Sequence, residues 1–206
     1  MTGRNIFLTD TKRHLHERFN PRSDQIPPVR IKRFKRENLA ELLNELGLRT
    51  GAEIGVAEGR YSRVLCEKIR GHKLYCVDLW GPYTRNNKKM KNQIMQNDAY
   101  AAAVENLSPF NTELIRESSM KAVNRFRKKS LDFVYIDGDH TFDFVMSDLI
   151  WWSQKVRPGG IVAGHDAYRF RGAGVVDAVS TYTTVHQINE WYLCDERESS
   201  FFWAKP

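Results

Sequence analysis

The 206-residue chain is 41% hydrophobic and 12% aromatic, enough for one sizeable core and too little for two domains to be the first expectation. Its formal charge of +7 is concentrated at one end: residues 1 to 36 hold ten Lys/Arg against three Asp/Glu, and the remaining 22 Lys/Arg balance 22 Asp/Glu. No run approaches the ~18 apolar residues that cross a bilayer, nothing reads as a secretion signal, and the widely spaced Cys66, Cys76 and Cys194 match neither a disulfide framework nor a zinc knuckle, so a soluble cytoplasmic protein is expected.

Pro21, Pro27 and Pro28, set in a polar and charged segment, predict an irregular lead-in over residues 1–30 that adds little to the core. The basic stretch "RIKRFKR" that follows suits nucleic acid, an acidic membrane surface or an anionic substrate. It equally suits a solvated extension that packs on a neighbouring subunit. Residues 1–37 are therefore set apart as a basic N-terminal extension and the domain is taken as 38–206. That domain opens on an amphipathic helix. Leu39, Leu42, Leu43 and Leu46 recur at helical spacing, Asn38 stands as N-cap with Glu41 as its reciprocal partner, and Gly47 and Gly51 end the run.

From there, β-rich runs at 52–56, 73–77, 111–115, 131–136 and 160–163 alternate with helical stretches at 61–70, 93–106, 119–128 and 141–155, the pattern of a parallel sheet covered on both faces. The last of these helices carries Phe142, Val145, Met146, Leu149 and Trp152 on one face, Asp143 in its first turn and a stop at Pro158-Gly159-Gly160. The final third reads differently. Residues 174–183 look helical, while "TTVHQI" and "SSFFWAK" look like strands joined by the loop "NEWYLCDERE", a connection that suits antiparallel neighbours. Five alternating units closed by this hairpin make an α/β, Rossmann-like doubly wound sheet of seven strands, mostly parallel, with an antiparallel C-terminal strand. Trp151, Trp152, Phe201, Phe202 and Trp203 are read as core or subunit interface, which leaves room for a homo-oligomer.

In open sheets of this kind ligands bind beyond the carboxyl ends of the strands where the strand order reverses, usually at the first strand-to-helix turn. Here that turn is "AEIGVAEG", in which Gly55 and Gly59 let bare backbone approach a ligand. The next strand, "LYCVDLW", ends on Asp78, placed to accept hydrogen bonds from a ribose diol. A nucleoside-bearing cofactor follows. The spacing is E-x-G-x-x-x-G, not the dinucleotide G-x-G-x-x-G, and Glu53 at its head disfavours a pyrophosphate and suits a sulfonium or amino group.

"EIGVAEGRYS", "LYCVDLW" and "LDFVYIDGDHTFDFVMSDLIWWSQKVRPGGIVAGHD" together resemble the class I S-adenosylmethionine-dependent methyltransferases. Within them they resemble the methyltransferase family 24 branch, relatives of catechol O-methyltransferase and of macrolide sugar O-methyltransferases. The resemblance covers about residues 38–206 and leaves out the basic extension. It implies that Glu53, Gly55 and Gly59 line the methionine end of S-adenosylmethionine, that Asp78 binds its ribose and that Ser118 or Ser119 lies near the adenine. Asp137 is counted with this cofactor set as well as with the chemistry.

The chemistry-bearing residues cluster in one block. Asp137 ends the fourth strand and is followed by Asp139 and His140, while His165 and Asp166 end the fifth. Neighbouring strands ~4.8 Å apart would bring these side chains over one cleft. Two carboxylates and an imidazole there suit magnesium or another divalent cation acting as Lewis acid on an acceptor hydroxyl. In the catechol-type relatives the matching strand ends carry metal ligands, which map onto Asp137, His165 and Asp166. The His-Asp pair at the fifth strand departs from the catechol-type pattern. A metal-free alternative makes His140 or His165 the general base, and the bland reading has His140 capping the next helix and Asp139 stabilising its first turn.

The polar stretch "WGPYTRNNKKMKNQIMQ" is expected to be a mobile lid, with Tyr83 and Arg85 near the acceptor or the cofactor carboxylate. Tyr168, Arg169 and Arg171 of "AYRFRGAG" offer handles for an anionic or sugar group. The leading expectation is O-methylation of a small-molecule hydroxyl of the sugar or phenol type. The alternative is a nucleic-acid methyltransferase that uses the basic extension as an arm.

Overall fold

A computed structural model describes residues 4–22, 24–85, 88–170 and 172–206, with side chains for all of these except 4–9, 83–85 and 88–91. In chain order the elements are α1 (Arg4–Phe19), β1 (Val29–Ile31), α2 (Arg36–Glu45), β2 (Thr50–Ile54), α3 (Arg60–Lys68), β3 (Lys73–Asp78) and a hairpin of β4 (Tyr83–Arg85) and β5 (Lys88–Lys91). Then come α4 (Gln93–Leu107), β6 (Thr112–Arg116), α5 (Ser119–Ala122) with a 3-10 turn (Val123–Arg125), β7 (Leu131–Ile136), α6 (Phe142–Trp152), β8 (Val156–Gly164), α7 (Val175–Val185), β9 (Tyr192–Cys194) and β10 (Phe201–Ala204).

Eight strands form one sheet in the order β1-β9-β10-β8-β7-β2-β3-β6. The five from β8 to β6 pair in parallel, and β10 runs antiparallel to both β8 and β9. The Rossmann-like, mostly parallel sheet with its antiparallel C-terminal strand is thus present, with β1 as a strand beyond the expected seven. β7 is buried along nearly its whole length, as a central strand covered on both faces must be. Alternate β7 side chains serve two cores: Phe133 and Tyr135 join Leu39, Leu43 and Ile161, whereas Val134 and Ile136 join Leu149, Trp152 and Trp203.

Residues 1–30, read as an irregular lead-in, carry a helix and a strand instead. Thr11, Leu15 and Phe19 form a stripe down α1. Leu15 is buried in the core, the Thr11 hydroxyl donates to the Gly159 carbonyl at 2.8 Å, and the Phe19 ring meets Phe34 and Tyr192 at 5.2 and 5.1 Å. That stripe is one residue wide and ringed by His, Lys and Arg, so its periodicity is masked by polar neighbours. β1 then pairs in parallel with β9. Arg30 donates to the Cys194 carbonyl and to Ser199, and the Arg33 amide donates to the Asp195 carboxylate. The described part of the basic segment is therefore fastened to the sheet.

Smaller differences have local causes. α2 starts at Arg36, so Asn38 sits inside the first turn, where its side chain accepts the Lys35 amide at 3.0 Å and donates to Glu41. The helix expected over 119–128 ends early because Phe126 turns extended and lays its ring against Tyr75 and Trp152. "TTVHQI" is not a strand. α7 continues through Val185 because Val179, Tyr182 and Thr183 share one buried face, and this packing overrides the β-propensity of threonine and valine. The hairpin partner of β10 lies instead inside the expected loop, as Tyr192–Cys194. The stretch expected to be a lid holds the β4–β5 hairpin, and Asn92 caps α4 by accepting the Met95 amide. The Tyr83 and Arg85 side chains, and all of Arg171, lie outside the described residues. Among the described residues no helix is long and apolar enough to cross a membrane.

Candidate active site

From β2 the chain steps outward through β3 to β6, then resumes with β7 on the other side of β2. The strand order therefore reverses between β2 and β7, and a crevice opens beyond their carboxyl ends. Here the two strands touch through backbone: the Asp137 amide donates to the Ile54 carbonyl at 2.7 Å. Gly55 has φ 91°, and a Cβ on it would stand 2.1 Å from the Asp137 carbonyl oxygen, so the position excludes every other residue on two counts. Gly59, at φ 77°, leads directly into α3.

Asp78 holds this turn in shape. One carboxylate oxygen accepts the Val56 and Ala57 amides at 2.9 and 3.0 Å, and the other accepts the Trp80 amide at 2.9 Å. A carboxylate offers about four acceptor positions, and these three amides take up three of them. Ala57 itself takes a left-handed φ of 49°. Its carbonyl is bonded by the fully buried Trp80 indole at 2.8 Å, and Asn106 ties the neighbouring Glu58 carbonyl at 2.9 Å.

Glu53 does not open onto the crevice. It is 1% exposed, pairs with the Ser62 hydroxyl of α3, and burial pushes its carboxyl up to about 8 against the help of that hydrogen bond. Ser118 is exposed at the start of α5. Ser119 is engaged: its hydroxyl bonds the Asp148 carboxylate and receives the Trp152 indole N–H at 2.7 Å. Burial raises Asp148 to about 6. A Cβ on Gly138, just past β7, would lie 3.8 Å from the other Asp148 oxygen.

Across the crevice the titratable groups converge. His140 Nε2 lies 2.9 Å from an Asp166 carboxylate oxygen and 3.9 Å from Asp137, and His165 Nδ1 lies 3.6 and 3.8 Å from the same two carboxylates. One donor atom each from Asp137, His140 and Asp166 falls within 4.8 Å of the others. This donor set suits a divalent ion, the imidazole broadening the choice from magnesium or calcium toward manganese or zinc; His140 joins the carboxylates in it, and His165, the histidine expected from the sequence, lies beside them. Asp166 takes a left-handed φ of 58°, a conformation that aspartate tolerates and that concentrates at functional sites.

The charges are interdependent. Burial pushes Asp137 up to about 6, opposed mainly by His165. Burial also works against an ionised Asp166, but the contacts with His140 and His165 outweigh it and hold this carboxyl well below the usual range. For His165, burial favours the neutral ring, and contact with Asp166 together with the Asp137 charge reverses that and raises it. Asp139 accepts the Thr141 amide at 2.8 Å and so serves the first turn of α6. His140 does not cap that helix with its ring, which is turned to Asp166. Arg169 is paired with Asp177 at 3.0 Å, and Tyr168 stacks on Phe170 at 4.6 Å.

Trp80, Asn106 and Asp148 are structural members of this crevice that motif reading passes over. Asp148 left a legible trace as the acid within the otherwise apolar stripe of α6.

A family model described as a methyltransferase domain, family 24, matches residues 52–167, and the chain belongs to that family. It is a class I enzyme that uses S-adenosylmethionine as methyl donor. An O-methyltransferase from Bacillus cereus, solved in complex with SAH, superposes with a TM-score of 0.62 at 12% identity, covering 98% of this chain and 91% of that one. An rRNA methylase from Streptococcus thermophilus superposes at 0.56 with 13% identity over 82% and 93%. The N-methyltransferase NodS from Bradyrhizobium japonicum WM9 superposes at 0.54 with 15% identity over 81% and 91%. At these identities the likeness is one of fold, and that fold serves oxygen, nitrogen and RNA acceptors alike. No curated protein sequence matches the chain.

Proposed function

We propose that this methyltransferase modifies a hydroxyl oxygen of a small molecule, of the sugar or phenol kind, with a divalent ion at the acceptor. The observation that carries the reading is the convergence of Asp137, His140 and Asp166 donor atoms within 4.8 Å at the ends of β7 and β8. A hydroxyl is a poor nucleophile until its proton is withdrawn, and an ion in such a site would lower its pKa and fix its position.

In this reading the bare turn at Gly55 and Gly59 and the remaining acceptor position of Asp78 hold the nucleoside, and Ser118 and Ser119 flank its adenine. Glu53 acts from beneath the turn, through its field and its bond to Ser62. S-adenosylmethionine supplies a methyl group on a sulfonium, an electrophile that needs no activation. The chain's task is to bring the acceptor oxygen into line and to take its proton. His165 is the proton acceptor, its imidazolium stabilised by Asp137 and Asp166. Tyr168 and Phe170, stacked at the rim, provide a flat wall for a ring-shaped acceptor.

The test is a panel of hydroxylated acceptors assayed with magnesium, with manganese and with a chelator. Turnover should vanish with chelator and return with metal while SAH binding, followed by calorimetry, persists. Chelator-resistant turnover would remove the ion and leave the histidine base. A nucleic-acid acceptor is the second reading, supported by Lys32, Arg33 and Lys35, which stand exposed on the connection leading to Arg36. It requires RNA or DNA binding that weakens steeply with salt and falls when these three are neutralised.

A further inference from the structure

We infer that Arg36 anchors the carboxylate of the amino-acid end of S-adenosylmethionine, an assignment that rests on the cofactor site described above. Arg36 is the first residue of α2, and its place beside the crevice is fastened from α3. The Tyr61 hydroxyl, two residues past Gly59, donates to the Arg36 carbonyl at 3.0 Å, and the guanidinium lies over the Tyr61 ring with Cζ 5.1 Å from the centroid. Tyr61 in turn packs on Tyr135 of β7 at 4.4 Å, and Tyr135 is the cross-strand partner of Glu53. The cation is thereby held where the glycine turn meets the end of β7.

Among the described residues the guanidinium makes no hydrogen bond to a carboxylate, and its nearest ion pair is a 4.0 Å approach to Glu37. The side chain is 33% exposed. A half-buried guanidinium presents five donors in a planar fork, a geometry that matches a carboxylate in bidentate fashion.

The ligand supplies the complement. The amino-acid end of the cofactor is a zwitterion, and its ammonium suits the acidic junction at Asp137, which leaves its carboxylate in need of a cation. The other arginines near the turn are committed or exposed. Arg63 is paired with Glu67 at 2.7 Å, and Arg116 donates to the Trp80 carbonyl and to Asn97. Arg60 begins α3 but is exposed, and it serves as the control.

The experiment measures by calorimetry the affinity of two probes, S-adenosylhomocysteine and 5′-methylthioadenosine, which share the nucleoside thioether and differ in the amino-acid end. Charge-assisted hydrogen bonds of this kind are worth roughly 10- to 100-fold in binding. Arg36→Gln should weaken S-adenosylhomocysteine by about that factor and leave 5′-methylthioadenosine unchanged, which also shows that the variant is folded. Arg36→Lys should recover part of the loss, and Arg60→Gln should alter neither affinity. The assignment is overturned if Arg36→Gln weakens both probes equally or neither, or if Arg60→Gln produces the selective loss. Wild-type protein that binds neither probe would overturn the cofactor site itself, a distinguishable result.

Discussion

On the β2–β3 side the crevice is formed mainly by backbone braced by one carboxylate. Val56, Ala57 and Trp80 give their amides to Asp78, Trp80 and Asn106 take the carbonyls of Ala57 and Glu58, and Gly55 is pressed against Asp137. On the β7–β8 side it is side chain, with each of two imidazoles within 4 Å of both of two carboxylates. The contrast suits the two tasks proposed above, a cofactor site shaped largely by backbone and an acceptor side whose groups would exchange protons or bind an ion near neutral pH.

Substitutions that separate the halves follow from this contrast. The largest effect should come from the acceptor side: Asp166→Asn keeps a residue that tolerates the left-handed backbone but removes the charge shared with His140 and His165. Turnover should fall by about 10^2- to 10^4-fold while S-adenosylhomocysteine affinity by calorimetry changes little. Equal losses in both would mean that the halves are not separable.

Gly55→Ala strikes the seam between them. With φ at 91° and a carbonyl oxygen 2.1 Å from the new Cβ, destabilisation should reach about 3 kcal/mol or more in chemical denaturation, with cofactor binding lost. A variant of wild-type stability that binds cofactor would contradict the described turn.

Glu53 makes the backbone side depend on pH through its foundation. Its carboxyl titrates near 4.5 when unfolded and about 8 when folded, so the native state holds this proton more tightly. The stability it contributes is present at low pH and is lost as pH rises through 8. Between pH 6 and 9 the loss should be on the order of 2 kcal/mol. The raised His165 adds a loss of the same sign above its ordinary value. Glu53→Gln should flatten most of this slope in melting temperature measured against pH, and an unchanged slope would rule out a buried protonated Glu53.

The smallest effect is expected from Asp78→Asn, which keeps one oxygen for the turn amides. Affinity for S-adenosylhomocysteine and for 5′-methylthioadenosine should drop together by roughly tenfold, about 1.4 kcal/mol, with turnover at saturating cofactor nearly intact. A selective loss of only one probe would assign Asp78 to the amino-acid end instead of the ribose.

The parallel strands, the glycine turn and the acid-rich strand ends were legible because each is a local pattern: β-branched runs of five or six residues, two glycines four apart, carboxylates just beyond an apolar stretch. What escaped has a physical cause in each case. α1 buries a stripe too narrow to stand out from its charges, and β9 is three residues long within a polar stretch. Arg36 lies in a basic run where nothing local distinguishes it from Lys32, Arg33 or Lys35. Glu53 was legible as an acid beside the turn, but its sealing beneath α3 by Ser62 was not.

By itself the order of residues determined the alternation of strand and helix, the kind of cofactor and the residue types at the strand ends, since these depend on contacts within a few positions along the chain. Tertiary structure decided that His140 comes within 2.9 Å of Asp166, that Asp78 braces the turn facing it, and that the Arg36 guanidinium of α2 lies over the Tyr61 ring. Those relations depend on sheet register and helix packing, which bring together atoms more than twenty residues apart, and no short stretch of sequence carries that distance.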